Sequence, residues 1–434
     1  MRANRSLRAM VIGPAVIAAA LAGSAFAQEA ATAVPAEAVA SEPAAATTLQ
    51  SAYKDYFLIG VAINRSIATG AAGRRGQESV EKDIALVKEQ FNQIAPENDL
   101  KWQLIHPREG TDGYDFGPSD AFVEFGQKNK MVIIGHTLVW HSQTPNWVFA
   151  GTSPPPGTGD AAKAETPPAA VPGRRGGRGF GGGFGRGFTG PRASRDELLK
   201  RMREHIHTVV GRYKGKIKAW DVVNEAIADD GEEVLRNSLW LQIIGPDYIA
   251  KAFEYAHEAD PDAILRYNDY GLEDPAKRHK LLKLVKSLQD QKVPIHAIGS
   301  QAHVNVSTTF ETMDQSLTEI ASLGLPIHIT ELDVNTAARG QRGTGADIGA
   351  NSDATRGGKV SDADKRLADG YEGIFRALLK HRESVKMVTF WGVNDAVSWR
   401  RFGTPLLFDG DNKPKPSFDA VIRVANELQL RPEP

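Results

Sequence analysis

Eight short apolar runs, separated by helical patterns, constrain this 434-residue chain more than any other feature. They are "YFLIGVAI" (56–63), "FNQIAPE" (91–97), "MVIIGHT" (131–137), "IKAWDVVNE" (217–225), "AILRYND" (263–269), "AIGSQAHV" (297–304), "PIHITELDV" (326–334) and "KMVTFWGV" (386–393). Several are almost continuously apolar at their start, as strands covered on both faces should be. The intervening segments carry helical stripes. In "SRDELLKRMREHIHTVVGRY", Ser194 and Glu197 have the spacing of a capping box, and Leu198, Leu199, Met202, Ile206, Val209, Val210 and Tyr213 fall on one face. In "SVEKDIALVKEQ", Val80, Ile84 and Val87 face inward and the charges face outward. Eight strands, each followed by a helix, predict an α/β fold of the (β/α)8 TIM-barrel type. A doubly wound open sheet is the rival that alternation alone permits.

The strand ends favour the barrel. Glu97, His136, Glu225, Asp269, Gln301 with His303, Glu331 with Asp333, and Trp391 close to Asn394 all fall at or near C-terminal strand ends. A barrel gathers such ends at one mouth. Glu225 and Glu331, distant in sequence, would meet there as a carboxylate pair, the minimal machinery for hydrolysing a glycosidic bond. Residues two apart on a strand share a face, so Glu331 pairs with Asp333 and Gln301 with His303. A histidine between two carboxylates can bond both and fix their orientation. Asn224 and Glu225 are consecutive, so strand four must bulge or turn there if both face a substrate. Trp102, Trp140, Trp147, Trp391 and Trp399 lie at or beyond strand ends, where indole faces can stack on sugar rings. Trp102 and Trp147 fit a hydrophobic core equally well.

The remaining features set boundaries. Residues 1–27 combine Arg2, Arg5 and Arg8, an apolar run and an Ala25-Phe26-Ala27 cleavage site, the pattern of a signal peptide. The apolar run is short for a membrane span, so export to the periplasm or beyond is expected. Residues 28–48 are Ala/Pro-rich and read as a flexible spacer, leaving 49–434 as the catalytic domain. There is no cysteine, so the core alone must hold the fold. "GRRGGRGFGGGFGRGF" (173–188) resembles a single-stranded nucleic-acid binder. Against that, 52 Lys and Arg balance 53 Asp and Glu over the chain, which lacks the basic excess such a function needs. The run sits in a polar insertion after strand three (151–193); a second insertion follows strand seven (336–362). Both are expected to be disordered loops on the catalytic side. No phosphate-binding loop, dinucleotide fingerprint or metal motif occurs, and the two histidines of "HIH" (205–207) cannot share a helix face.

In order, the chain carries "PENDLKW", "GHTLVWHSQTP", "WDVVNEA", "YNDYGLE", "GSQAHV", "ITELDV" and "WGVNDAVSWR". This series resembles the family 10 glycoside hydrolases, the retaining endo-β-1,4-xylanases, from about residue 53 to 430. The resemblance implies Glu225 as general acid/base and Glu331 as nucleophile, with His303 holding Glu331 helped by Asp333. Asn224 would bond the 2-hydroxyl of the sugar under attack. Lys101 and His136 would contact the same sugar, with Trp391 and Trp399 as floor and lid. Glu97, Asn98, Trp140 and Gln143 would line the non-reducing side, Asn268 and Tyr270 the leaving-group side, and Gln301 would contact substrate. The charge of Glu331 would keep a proton on Glu225, and esterification of Glu331 would release it. The implied protein is a monomer acting on xylan or xylo-oligosaccharide, with no cofactor, metal, nucleic acid or membrane span. A β-1,4-glucanase or mixed-linkage enzyme on the same barrel, and a non-catalytic polysaccharide-binding relative, are the alternatives.

Overall fold

The computed structural model describes residues 47–73, 75–151, 190–336, 360–400 and 403–429. The expected signal peptide, nearly all of the expected spacer, the glycine-rich run and most of both insertions lie outside the described residues.

The apolar runs form β1 (Leu58–Ile63), β2 (Gln93–Pro96), β3 (Val132–Trp140), β4 (Ala219–Asn224) and β5 (Ile264–Asp269). They continue as β6 (Ala297–Ser300), β7 (His303–Asn305), β8 (Ile327–Asn335) and β9 (Val385–Phe390). Every pairing is parallel. The ring runs β1 through β6, crosses to β8 and β9, and closes on β1, with β7 extending the sixth position. This is the expected eight-position barrel, and closure excludes the open sheet. Its interior packs small and large side chains together: Ala62, Ala95 and Ala219 against Ile134, Met387 and Trp391.

Helices cover the outside. Helix Arg195–Arg212 buries Leu198, Met202, His205, Ile206, Val209 and Val210, while Leu199 stays half-buried. Each fully buried aliphatic side chain of that stripe contributes roughly 1.5–3 kcal/mol. The capping box at its start is only half formed. Ser194 Oγ accepts the Glu197 N–H at 3.2 Å, but the Glu197 carboxylate turns away to Arg201, 2.7 Å distant. His205 enters the core, its ring stacked 3.6 Å from that of Trp102, which settles Trp102 as a core residue.

Three expectations need correction. Asp83 does not point outward from helix Gln77–Gln90. It is buried because Arg75, Asn394 and Asn412 converge on its carboxylate, at 2.8–2.9 Å. Strand six is not continuous: Ala302 takes a left-handed φ of +54°, so β6 stops and β7 restarts against β8 alone. The irregularity expected at Asn224–Glu225 is divided in two. The ladder with β5 slips between Asp221 and Val223, and the turn itself falls on Glu225, whose φ is +57°.

Candidate active site

The C-terminal ends of β3 to β8 bring the two glutamates into one hydrogen-bonded group, 3 % and 5 % exposed respectively. Glu331 lies on β8, two residues before Asp333, so pleating sends both to the same side. His303, opening β7, stands between them: its Nδ1 lies 3.0 Å from Asp333 Oδ2 and its Nε2 3.2 Å from Glu331 Oε2. Asn268, at the end of β5, donates its amide to Glu331 Oε1 at 2.9 Å. Gly299 makes that approach possible, because a Cβ there would fall 2.3 Å from Asn268 Oδ1.

Glu225 is presented differently. It follows the last residue of β4 in a left-handed turn, a conformation costing a non-glycine residue about 1–3 kcal/mol. Surrounding groups hold that turn. Glu225 N–H donates to the Asn268 carbonyl (2.8 Å), Arg236 Nε donates to the Glu225 carbonyl (3.1 Å), and the Tyr267 hydroxyl accepts the next two N–H groups at 2.9 and 3.1 Å. The Glu225 carboxyl oxygens then receive Trp140 Nε1 at 2.8 Å and Gln301 Nε2 at 3.1 Å. Asn224 lies between the carboxylates: its Oδ1 accepts from Asn268 (2.9 Å), which also holds Glu331, and from Gln301 (3.2 Å), which also holds Glu225.

Charge is distributed unevenly across this group. Burial favours the neutral form of Glu331, yet the His303 hydrogen bond and His136 outweigh it and hold the carboxyl below its usual range. Burial likewise opposes protonation of His303, but Asp333 and Glu331 raise it to about 9. Asp333 is kept low against burial by Arg400 and His303. Beneath them runs a second buried chain. His136 Nδ1 sits 2.9 Å from Asp221, Asp221 pairs with Arg266, and Arg266 Nη1 lies 3.2 Å from His328 Nδ1. Burial of Asp221 is outweighed by Arg266 and His136, and its pKa falls to about 2. His136 stands 4.0 Å from Glu331 Oε1.

The remaining expected residues surround this centre. Lys101 is buried with its Nζ 5.1 Å from the Trp140 ring centre and 3.1 Å from Asn98 Oδ1; burial lowers its pKa against the pull of Glu331 and Glu97. Burial raises Glu97, opposed by Lys101. Gln143 takes a φ of +44°. Trp391 places its ring edge-on to His136, 5.2 Å between centres, and Trp399 places its ring 5.1 Å from His303. Two of the expected residues also have structural partners. Asn268 is fully buried, its amide shared between Asn224 and Glu331. Tyr270 is also buried, bonded to Asp229 and Arg236 with Lys277 Nζ 3.3 Å from its ring centre, so it stiffens the loop after Glu225. Asp221, Arg266, Arg236, Tyr267 and Arg400 were not among the sequence candidates. The available signal was a charge inside an otherwise apolar strand, as in "WDVVN" and "ILRYN". Among the described residues, no cluster of His, Asp and Glu is arranged for a metal ion, and no helix is long and apolar enough to cross a membrane.

The profile of glycosyl hydrolase family 10 matches residues 48–165 and 184–424. The chain belongs to this family. Among curated relatives, a β-1,4-xylanase of Dictyoglomus thermophilum is 39% identical over 386 residues, covering 87% of this chain and 90% of that protein. An endo-1,4-β-xylanase of Geobacillus stearothermophilus is 36% identical, covering 87% and 98%. Of solved structures, a family 10 endoxylanase from a sugarcane soil metagenome superposes with a TM-score of 0.70 at 35% identity, covering 87% of this chain and 99% of that one. An intracellular xylanase from Thermoanaerobacterium saccharolyticum, solved as a mutant with xylotetraose, gives 0.68 at 35% identity, covering 86% and 97%. This glycoside hydrolase therefore shares both sequence and barrel with family 10 xylanases along most of its length.

Proposed function

We propose that this family 10 hydrolase is an endo-β-1,4-xylanase that cleaves internal bonds of xylan with retention of anomeric configuration. The observation that carries the reading is the contrast between two buried carboxyls linked through Asn224. Glu331 takes one neutral donor, Asn268, but is held as an anion by His303 and His136, whereas both Glu225 carboxyl oxygens meet only neutral N–H donors. That division suits a nucleophile and an acid/base.

In the first step, Glu331 attacks the anomeric carbon while Glu225 gives its proton to the departing glycosidic oxygen. The carbon–oxygen bond breaks and a glycosyl ester forms on Glu331. With that ester formed the Glu331 charge is gone, and Glu225, now a carboxylate, takes a proton from water. The water oxygen attacks the same carbon, the ester breaks, and both glutamates return to their starting states. Asn224, its Oδ1 occupied by two donors, has its NH₂ oriented for the 2-hydroxyl of the reacting sugar. Lys101 and His136 complete the polar contacts, between Trp391 and Trp399. Glu97, Asn98 and Gln143 extend the groove toward the non-reducing side. The N-terminal pattern supports export, which N-terminal sequencing of the mature protein checks: cleavage before Gln28 is expected.

The deciding experiment follows the anomeric proton by NMR during early hydrolysis of xylan, alongside reducing-sugar release from xylan and from carboxymethyl cellulose. Initial appearance of the β-anomer and a strong preference for xylan are expected. First appearance of the α-anomer overturns retention, and equal turnover of cellulose makes the protein a broad β-1,4-glucanase.

A further inference from the structure

Arg400 and Trp399 are neighbours in sequence, and both end on the same buried carboxylate. Arg400 Nη1 lies 3.0 Å from Asp333 Oδ1 as an ion pair, and Trp399 Nε1 donates to Asp333 Oδ2 at 2.8 Å. The guanidinium carbon of Arg400 sits 4.7 Å from the Trp399 ring centre, and the arginine is itself buried. Asp333 leads through His303 to Glu331 in two contacts of 3.0 and 3.2 Å. The catalytic scheme above uses Asp333 only as support for His303 and gives Arg400 no part. Yet Arg400 is the sole group in this file of four, Arg400–Asp333–His303–Glu331, with a permanent positive charge, and it touches the tryptophan that covers the sugar.

From this geometry we infer that Arg400 is a positioning residue for the reaction, coupling the seating of Trp399 to the charge and orientation of the nucleophile through Asp333 and His303. Arg400 neutralises Asp333 from one side while the indole N–H bonds it from the other. Loss of the arginine leaves the file one positive charge short, so the remaining members hold protons more tightly and Glu331 is protonated at higher pH. The other groups facing this file are His136 and Asp221 below Glu331, Lys101 from the loop after β2, Glu273 near His303, and Tyr371 near Asp333. All remain in place when Arg400 alone is changed.

The inference rests on Glu331 being the nucleophile, and its test separates the two. The rate profile kcat/KM against pH is measured on an aryl β-xylobioside with a leaving group that needs no proton, for the wild type, Arg400→Gln and Arg400→Lys. Arg400→Gln is expected to move the acid limb upward by about one pH unit, the scale of one lost neighbouring charge. Arg400→Lys, which keeps the charge, is expected to return most of that shift. An unmoved limb in both variants, or equal shifts in both, overturns the coupling. A general loss of packing lowers rates without separating glutamine from lysine. Should Arg400→Gln not fold, the indole N–H resonance of Trp399, assigned by its absence in Trp399→Phe, serves instead. It is expected to shift between wild type and Glu331→Gln, and an unchanged resonance counts against the coupling. If Glu331→Gln retains turnover, the nucleophile assignment itself fails, whatever the arginine variants do.

Discussion

Glu225 and Glu331, the two glutamates to which the proposal gives the chemistry, are almost equally buried but differ in backbone and in partners. Glu331 occupies a regular position in β8, and beside the neutral Asn268 amide its partners bear charge: His303, backed by Asp333 and Arg400, with His136 nearby. Glu225 occupies a left-handed turn, and its carboxyl partners are an indole and an amide. A carboxylate needed as an anion at the start of the cycle gains from fixed charge around it. A carboxyl that must give up and regain a proton in each turnover gains from partners that carry no fixed charge. The backbone on one side and the charges on the other carry the specialisation.

The sharpest way to break this comparison is Glu331→Gln, which removes the proposed nucleophile. Turnover of xylan and of activated aryl xylosides is expected to fall together, by roughly 10⁴-fold or more. Glu225→Gln should cost about 10²–10⁴ on xylan, while substrates with good leaving groups keep their glycosylation rate and show a burst as the intermediate accumulates. Equal loss on both substrate types would reverse the assignment. Trp140→Phe tests the neutral side. Removing the indole N–H leaves one Glu225 carboxyl oxygen without its 2.8 Å donor, so kcat on xylan is expected to fall about tenfold, the scale of one lost hydrogen bond, with a smaller loss on substrates whose leaving group needs no proton. Equal loss on both refutes the role given to the indole.

The smallest effect tests the charged side through stability. His303 is raised to about 9 from 6.5, so its proton stabilises the fold fully below pH 6.5, and that contribution disappears as pH rises through 9. The wild-type melting temperature is therefore expected to decline by a few degrees across this window, and His303→Gln to flatten the decline. Parallel melting curves for the two proteins would show that the histidine charge is not what Asp333 and Glu331 hold.

Much of the barrel is legible in the sequence because a buried parallel strand leaves a dense apolar run, and the helices between leave a 3.6-residue stripe. The meeting of Glu225 and Glu331 follows from barrel closure. Even the turn at Glu225 is implied, since two consecutive residues cannot both face a substrate from a regular strand. What escapes the sequence depends on partners brought from far away. Asp83 is drawn inward by Asn394 and Asn412, whose side chains no periodicity connects to it. The break at Ala302 leaves no mark, since alanine is no signal for a left-handed residue. Asn268 enters only through the family resemblance, and the glycine at 299 and the positions of Asn224 and Glu331, which enclose it, leave no signal in its own segment.

The left-handed turn at Glu225 also bears on how this enzyme responds to selection. Glycine adopts that conformation without steric penalty, so Glu225→Gly relieves backbone strain of about 1–3 kcal/mol and removes a carboxyl from a buried site. A library screened for heat resistance alone would be drawn toward glycine at this codon, and each such winner would be a poor catalyst. Engineering for durability therefore has to score hydrolysis in every round, because at this position the sturdier protein is the less useful one.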